Sequence, residues 1–479
     1  MAFPRTSIVA TVGPACREVE VLARMVAAGA EVFRVNGAHV QPAQLAAWVE
    51  RVREAGSRAG RHPAVMVDLP GTKVRTGSFP RGEVVLPVGA VVLLVPGGEG
   101  GPDRIPVEPP SLLEDVPIGA VVVLGDGGAR LEVLARKGEA LEARVVGAGR
   151  VGRGTGVHVP GVALRASVPT AEDVSLAEAA VAAGADLLSL SFVRTGADLQ
   201  RLRERLVAWG APRLPVVAKV ERVAALEHLD AILSASDGVI VARGDLGLDA
   251  GPERMPVLQR RILAAARRHG RPALVATEML ESMTQATRPT RAEASDVAGA
   301  VFGGADAVML SAETAVGRHP ALVVETMAAI LREAEHDPDA PVFGHPALVA
   351  PQPPSGHPDQ AVVRAGVSLA REAGAKAIAV YTRTGASALR ISSERPTAPV
   401  YAFTPDAATC RRLALAWGVR AQVLAPQPAG PLGSDLLVER VREALRASDE
   451  IPPGSRVVAL LGAPGDAAGT TSVIRLLAT

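Results

Sequence analysis

Short runs of β-branched and aliphatic residues recur along the chain, and between them apolar positions return at the three-to-four-residue spacing of an amphipathic helix. The runs fall at residues 7–12, 31–35, 64–69, 186–192, 216–221, 238–241, 273–277 and 307–310. Strands that alternate with helices build parallel sheets, and a set of eight predicts a closed (β/α)8 barrel. The alternation breaks after the third run. From about residue 71 to 160 the Val-rich stretches 84–86, 90–95, 120–124 and 131–135 are punctuated by Gly and Pro, which predicts an all-β insertion. The division that follows is a barrel of residues 1–70 and 161–335, an inserted β lid domain of residues 71–160, a Pro- and His-rich linker of residues 336–360, and a C-terminal α/β domain of residues 361–479. In that last domain strands are expected at 377–381, 400–403, 421–424 and 456–461, with helices near 361–373 and 408–416. Thr290 and Glu293 have capping-box spacing ahead of an apolar-periodic segment and mark a helix start.

Composition narrows this picture. A chain of 479 residues that is 48% hydrophobic can bury several cores. A formal charge of +1, with both signs spread along the chain, gives no electrostatic footprint for nucleic acid or an anionic membrane. Cys16 and Cys410 stand far apart in no metal-binding spacing, so a reducing cytoplasm is expected. The longest apolar stretches have strand length, so no export or membrane segment is expected. Only Lys73, Lys137, Lys219 and Lys376 are lysines, arginine supplying the rest of the positive charge. A lysine here therefore invites a local reason.

Reactive groups of a β/α barrel gather at the C-terminal ends of its strands. The predicted strands end on Arg34 and Asn36, Asp68, Ser191, Lys219 and Glu221, Arg243 and Asp245, Thr277 and Glu278, and Ser311. Lys219 and Glu221 are two apart on an otherwise apolar strand and so share a face. Asp245 closes an apolar strand in a Gly-containing turn, beside Gly244, where free backbone N–H groups can approach an anion. Glu221 and Asp245 form a pair of hard oxygen donors suited to a Mg²⁺ completed by water and substrate, with Mn²⁺ as its substitute. Arg34 and Arg75 are candidate phosphate clamps, because guanidinium forks hold phosphoryl oxygens bidentately. His39 is a candidate contact to the same anion.

Read together, the strings Lys219-Val220-Glu221, Ala242-Arg243-Gly244-Asp245-Leu246-Gly247, Thr277-Glu278-Met279-Leu280-Glu281-Ser282-Met283 and Ser311-Ala312-Glu313-Thr314 resemble the pyruvate kinases, and the resemblance spans essentially the whole chain. It implies transfer of a phosphoryl group from phosphoenolpyruvate to ADP, giving pyruvate and ATP in glycolysis. It further implies that Glu221 and Asp245 ligate the metal, that Lys219 offsets the moving phosphoryl group and the developing enolate, and that Arg34 contacts phosphate. Gly244, Asp245, Ser191 and Ser311 would bind substrate beside Thr277, with Asn36, His39 and Arg75 toward the nucleotide. The β insertion would be a mobile lid. In the C-terminal domain Thr382, Arg383, Thr384, Gly385 and Ser387 resemble the family's loop for a phosphorylated allosteric effector, and a cytoplasmic homotetramer is the family's expectation.

Departures from the family pattern cluster. Ala38 and Leu69 replace a serine and a threonine that help to bind K⁺, and Lys73 replaces a glutamate. The exchange at Lys73 changes local charge by two units, so the ammonium of Lys73, with Asp68 beside it, is expected to stand in for K⁺ and to make activity K⁺-independent, as in family members with lysine there. In the lid, Arg153 lies where many members carry paired lysines, Glu278 stands for a glutamine and Arg222 for an asparagine. Two other readings use the same residues: a Mg²⁺-dependent pyruvate or oxaloacetate aldolase or lyase, and a non-catalytic sensor of phosphorylated metabolites. The first has no need of a lid or a C-terminal phosphate cradle, and the intact Lys219, Glu221 and Asp245 argue against the second.

Overall fold

In a computed structural model the chain is described over residues 4–72, 74–125, 127–162, 168–337, 358–424, 434–447, 450–462 and 470–479. Strands β1 (Ser7–Thr11), β2 (Ala30–Asn36), β3 (Ala64–Leu69), β4 (Leu187–Leu190), β5 (Val216–Val220), β6 (Gly238–Ala242), β7 (Ala273–Ala276) and β8 (Ala307–Leu310) close into a barrel. Each pairs in parallel with its sequence neighbours, and β8 returns to β1. Parallel strands are covered on both faces, which is why these segments read as nearly unbroken apolar runs. Val9, Val32, Met66, Val217, Ile240, Leu274 and Met309 fill the barrel interior as one cluster. The alternate residues, among them Ile8, Phe33, Val65, Ala218, Val239 and Val308, pack in a second cluster with residues of the surrounding helices.

Among the described residues the insertion forms a sheet in the order Val157–His158, Val121–Leu124, Ala129–Lys137, Ala140–Gly147, Val91–Pro96, Arg104–Glu108, Arg75–Thr76, with Val84–Leu86 and Gly149–Val151 paired separately. Its two ends are stitched together at the barrel: the Thr76 amide donates to Thr155 and the Val157 amide to Val74. The short strands at these ends carry too few residues for an alternating pattern to be read from sequence.

The C-terminal unit is a sheet of β9 (Ala377–Tyr381), β10 (Val400–Thr404), β11 (Val419–Val423), β12 (Arg456–Leu461) and β13 (Val473–Ala478), in the order β11-β10-β9-β12-β13. β13 runs antiparallel to β12 and was not expected; as a half-exposed edge strand it lacks the apolar run of a central one. Most of the expected linker, residues 338–357, lies outside the described residues, between helices Pro320–His336 and Pro358–Glu372.

The two units are joined by ion pairs that are buried or partly buried. Arg411 Nε lies 2.6 Å from Asp186 Oδ1 and Arg395 Nη2 lies 2.9 Å from Asp306 Oδ1. The Trp417 ring packs against the guanidinium groups of Arg395 and Arg5, at 4.6 and 5.4 Å from its centroid. Leu415 reaches the cluster that fills the barrel interior. A cavity of about 940 Å³ opens beside this junction, lined by Arg5, Glu31, Arg61 and Arg420. Among the described residues no helix is long and apolar enough to cross a membrane.

Candidate active site

A cavity of about 290 Å³ lies at the C-terminal ends of the barrel strands. β2 contributes Arg34 and Asn36, with His39 just beyond it, and β3 contributes Asp68. Ser191 follows β4, Lys219 and Glu221 come from the end of β5, Gly244 and Asp245 follow β6, Thr277 follows β7 and Ser311 follows β8. Arg75 enters from the inserted domain. Every barrel-mouth residue picked out from sequence for substrate, nucleotide or divalent metal thus lines one space. Only Lys73 lies outside the described residues.

Lys219 is the centre of the charge network. Its Nζ donates to Ser191 Oγ at 2.7 Å and lies 3.0 Å from Glu221 Oε1 and 3.3 Å from Asp68 Oδ2. Burial alone would lower the Lys219 pKa, but the carboxylates of Asp68 and Glu221 outweigh it and raise it, so the ammonium stays charged. Arg34 donates through Nε to Asp68 Oδ2 at 2.9 Å and through Nη1 to Thr11 Oγ1 at 3.2 Å, and its Nη2 also pairs with Asp68. Ser189 donates to the other oxygen of Asp68 at 2.7 Å. Burial works to raise Asp68, but Arg34, Lys219 and Ser189 together hold its carboxyl down at about 2. Asp68 is therefore engaged by two cations of the site, Arg34 and Lys219.

Glu221 is 2% exposed, and its Oε2 accepts the Phe192 amide at 2.6 Å. Burial raises its pKa, and the charges of Asp245 and Asp68 add to the rise against the pull of Lys219. Two carboxylates that repel each other in a buried, oxygen-lined cleft match a hard divalent cation, whose charge would relieve that repulsion. Among the described residues no group of three or more His, Cys, Asp and Glu could hold a metal, so these two would leave positions for water and substrate oxygens.

Asp245 was expected in a turn after β6; it sits instead in the first turn of a helix, Arg243–Ala250. The N–H groups of the first residues of a helix have no intrahelical acceptor, so this end of the helix presents donors toward the cavity. Gly244 leaves little room for a side chain: a Cβ there would meet Thr277 Cγ2 at 3.0 Å, and the threonine would have to give by a few tenths of an ångström.

Three non-glycine residues at this mouth take left-handed backbone: Phe192 at φ 56°, Thr277 at 80° and Glu278 at 54°. Each costs on the order of 1–3 kcal/mol unless its surroundings hold it. Arg243 holds two of them. Its Nη2 and Nε donate to the Thr277 carbonyl at 2.6 and 3.1 Å, Nη2 also reaches the Glu278 carbonyl at 3.2 Å, and Nη1 is anchored on Asp296 at 2.6 Å. Arg243→Lys loses the two-pronged grip and is expected to lower kcat about tenfold or more, because a lost charge-assisted bond costs about 1.5–3 kcal/mol. Steady-state rates, measured well below the unfolding midpoint of the variant, would check this.

Sequence reasoning placed Arg243 at a strand end but gave it no partner, and it missed three further groups. Glu313, fully buried, accepts the Ser311 and Leu280 amides at 2.6 and 3.1 Å and so ties the segments after β7 and β8. His158 of the inserted domain places Nδ1 3.7 Å from Asp245 Oδ1. Asp249 contacts Arg222 and Gly161. None lies at a predicted barrel strand end, the position that drew attention to the other groups, although Glu313 falls within the string Ser311-Ala312-Glu313-Thr314. Nothing in the structure explains the acidic side chain at Glu278.

The chain matches the family model of the pyruvate kinase barrel domain over residues 3–324 and that of the pyruvate kinase alpha/beta domain over residues 360–477. The chain belongs to the pyruvate kinase family. It is 36% identical to the pyruvate kinase of Corynebacterium efficiens over 98% of this chain and 97% of that one. It is 37% identical to the pyruvate kinase of Methylorubrum extorquens over the same shares. With the pyruvate kinase of Geobacillus stearothermophilus the identity is 34% over 98% of this chain and 80% of that one. Membership makes the chain a phosphotransferase, built on the family's barrel and C-terminal α/β domain.

Within this pyruvate kinase family member the C-terminal loop follows β9. Gly385, left-handed at φ 86°, caps the helix Ala386–Ser393, and its amide donates to Thr382 Oγ1 at 2.9 Å. The Thr384 hydroxyl faces the Ala386 amide at 3.5 Å. Ser387 is buried and accepts from Thr471 at 2.7 Å, while Arg383 is exposed. Of the five residues picked out here, Thr382 and Ser387 are therefore spent on shaping the loop.

Proposed function

We propose that the chain transfers the phosphoryl group of phosphoenolpyruvate to ADP, and that it does so without K⁺. The observation that carries the first part is the Lys219 ammonium, held charged between Asp68 and Glu221 inside the cleft that also contains Arg34. Phosphoryl transfer asks for positioning and charge compensation more than covalent chemistry. Arg34 and Arg75 hold phosphoryl oxygens, the N–H groups of Gly244 and Asp245 receive the substrate carboxylate, and Ser191, Thr277 and Ser311 complete the pocket. Asn36 and His39 lie on the nucleotide side. A terminal oxygen of ADP bonds to phosphorus as the bond from phosphorus to the enol oxygen breaks, and the enolate released takes a proton at its methylene carbon. Lys219 offsets the charge on the phosphoryl group in flight and on the enolate. Mg²⁺, or Mn²⁺ in its place, would be held by Glu221 and Asp245 and would neutralise phosphate charge. The β domain excludes water that would otherwise accept the phosphoryl group.

The second part is supported by the fate of the oxygens that a monovalent cation would need. The Leu69 side chain is wholly buried, Asn36 Oδ1 faces the Ala38 amide at 3.3 Å, and Asp68 is engaged by Arg34, Lys219 and Ser189. The Lys73 ammonium then supplies the positive charge that the monovalent cation would bring. The same reading gives the C-terminal loop, with Arg383 and Thr384 outward, a phosphorylated effector, and it carries a cytoplasmic homotetramer.

Initial rates of pyruvate formation from phosphoenolpyruvate, ADP and Mg²⁺ test both parts, with tetramethylammonium as the only monovalent cation and then with K⁺ added. Comparable turnover in the two salts is the expected result. Turnover with K⁺ alone keeps the reaction and discards the role of Lys73. No turnover in either, even with sugar phosphates or nucleotides present, returns the aldolase and sensor readings.

A further inference from the structure

Asp249 stands one helical turn after Asp245 on the helix Arg243–Ala250, and its side chain is 5% exposed. Three segments converge on it. Its Oδ2 accepts the amide of Val223, two residues beyond Glu221, at 2.6 Å. Its Oδ1 accepts the amide of Gly161, where the chain returns from the β domain, at 3.2 Å, and lies 3.5 Å from Nη1 of Arg222. The Arg222 guanidinium in turn lies 5.8 Å from the ring centroid of Phe192, whose amide holds Glu221.

We propose that Asp249 is a positioning residue that ties the return of the β domain to the two carboxylates Glu221 and Asp245, with Arg222 making the tie an ion pair. The helix that bears Asp245 also bears Asp249, so anything that moves Gly161 pulls on the loops of both carboxylates. Arg222 puts a positive charge next to Glu221, where the family pattern has a neutral asparagine. That charge would weaken cation binding nearby, and the Asp249 carboxylate offsets it. The tie places the β domain and the carboxylate pair together, so the site is complete when water is excluded and loose when it is not.

The inference rests on the phosphotransferase reading and has its own readouts. Asp249→Asn can keep one oxygen for Val223 while the position facing Gly161 and Arg222 becomes an NH₂ group. Hydrogen exchange of the peptide spanning Gly161, in the folded full chain, needs no catalysis and is expected to quicken about tenfold in this variant, the worth of one charge-assisted bond. Catalysis gives the second readout. Freed of the tie, the site admits water: its oxygen bonds to phosphorus, the bond to the enol oxygen breaks, and pyruvate and inorganic phosphate result, with a proton from water ending on the methyl carbon.

Counting ATP and phosphate per pyruvate, the phosphate share and the KM for ADP should each rise about tenfold in Asp249→Asn, more than kcat falls. Arg222→Lys should keep the partition near that of the parent chain. Unchanged exchange at Gly161, or a uniform fall in kcat with partition and KM unmoved, overturns the proposal. Should Asp249→Asn not fold, Arg222→Gln decides through the same two readouts, parental exchange and partition again overturning it. A parent chain that forms no pyruvate would sink the activity, while the exchange comparison would still judge the tie.

Discussion

Replacing Lys219 with glutamine is expected to lower kcat by about a thousandfold while KM changes far less, the signature of a charge needed in the transition state more than in the ground state. The ammonium sits 2.7 Å from Ser191 Oγ, 3.0 Å from Glu221 and 3.3 Å from Asp68, with its charge secured by both carboxylates. Glutamine keeps a polar N–H donor but is one atom shorter and uncharged, so it leaves those carboxylates with less compensation. Lys219→Arg is not expected to rescue, because a planar fork cannot take the place of a compact ammonium among three close acceptors. Single-turnover rates at saturating phosphoenolpyruvate and ADP would decide; a kcat within tenfold of the parent chain would remove Lys219 from the mechanism.

The second large effect is on stability. Asp68→Asn is expected to cost about 3–5 kcal/mol at neutral pH, because it leaves Arg34 and Lys219 buried with less negative charge. Denaturant unfolding at constant slope measures it. Acid should remove much of the difference. The Asp68 carboxyl is held at about 2 against an ordinary value of 3.8, so the ionised form favours the folded chain. A carboxyl with a depressed folded-state pKa contributes stability that is fully present above its unfolded value, about 4, and lost as pH falls toward 2, here about 2–3 kcal/mol. The gap between parent and variant should therefore shrink across that window and nowhere above it. A gap that is constant from pH 7 to pH 3 would mean that the ion pairs of Asp68 do not set it.

Much of the molecule was legible in the order of residues. Periodicity locates buried faces, and eight parallel strands covered on both sides leave eight apolar runs, so the barrel and the break at the inserted domain could be read directly. The strand ends followed, and with them Arg34, Asp68, Lys219, Glu221 and Asp245, because in this fold the position along a strand fixes which residues face the mouth. Two residues apart on one strand, Lys219 and Glu221 had to share a side.

What sequence could not supply was the pairing among those residues and the backbone that presents them. Asp68 was read from sequence only as company for the Lys73 ammonium; closure of the barrel brings Lys219, 151 residues away, and Arg34 onto its carboxylate. Thr277 and Glu278 take a left-handed backbone that no propensity favours, because the guanidinium of Arg243 grips their carbonyls. Asp249 and Arg222 meet the return of an inserted domain that begins some ninety residues earlier in the chain. Local pattern thus determined which faces are buried and which residues reach the mouth of this barrel. Only the closed tertiary structure decided which charges answer one another, since electrostatic partners are chosen by distance in space, and chain closure alone sets that distance.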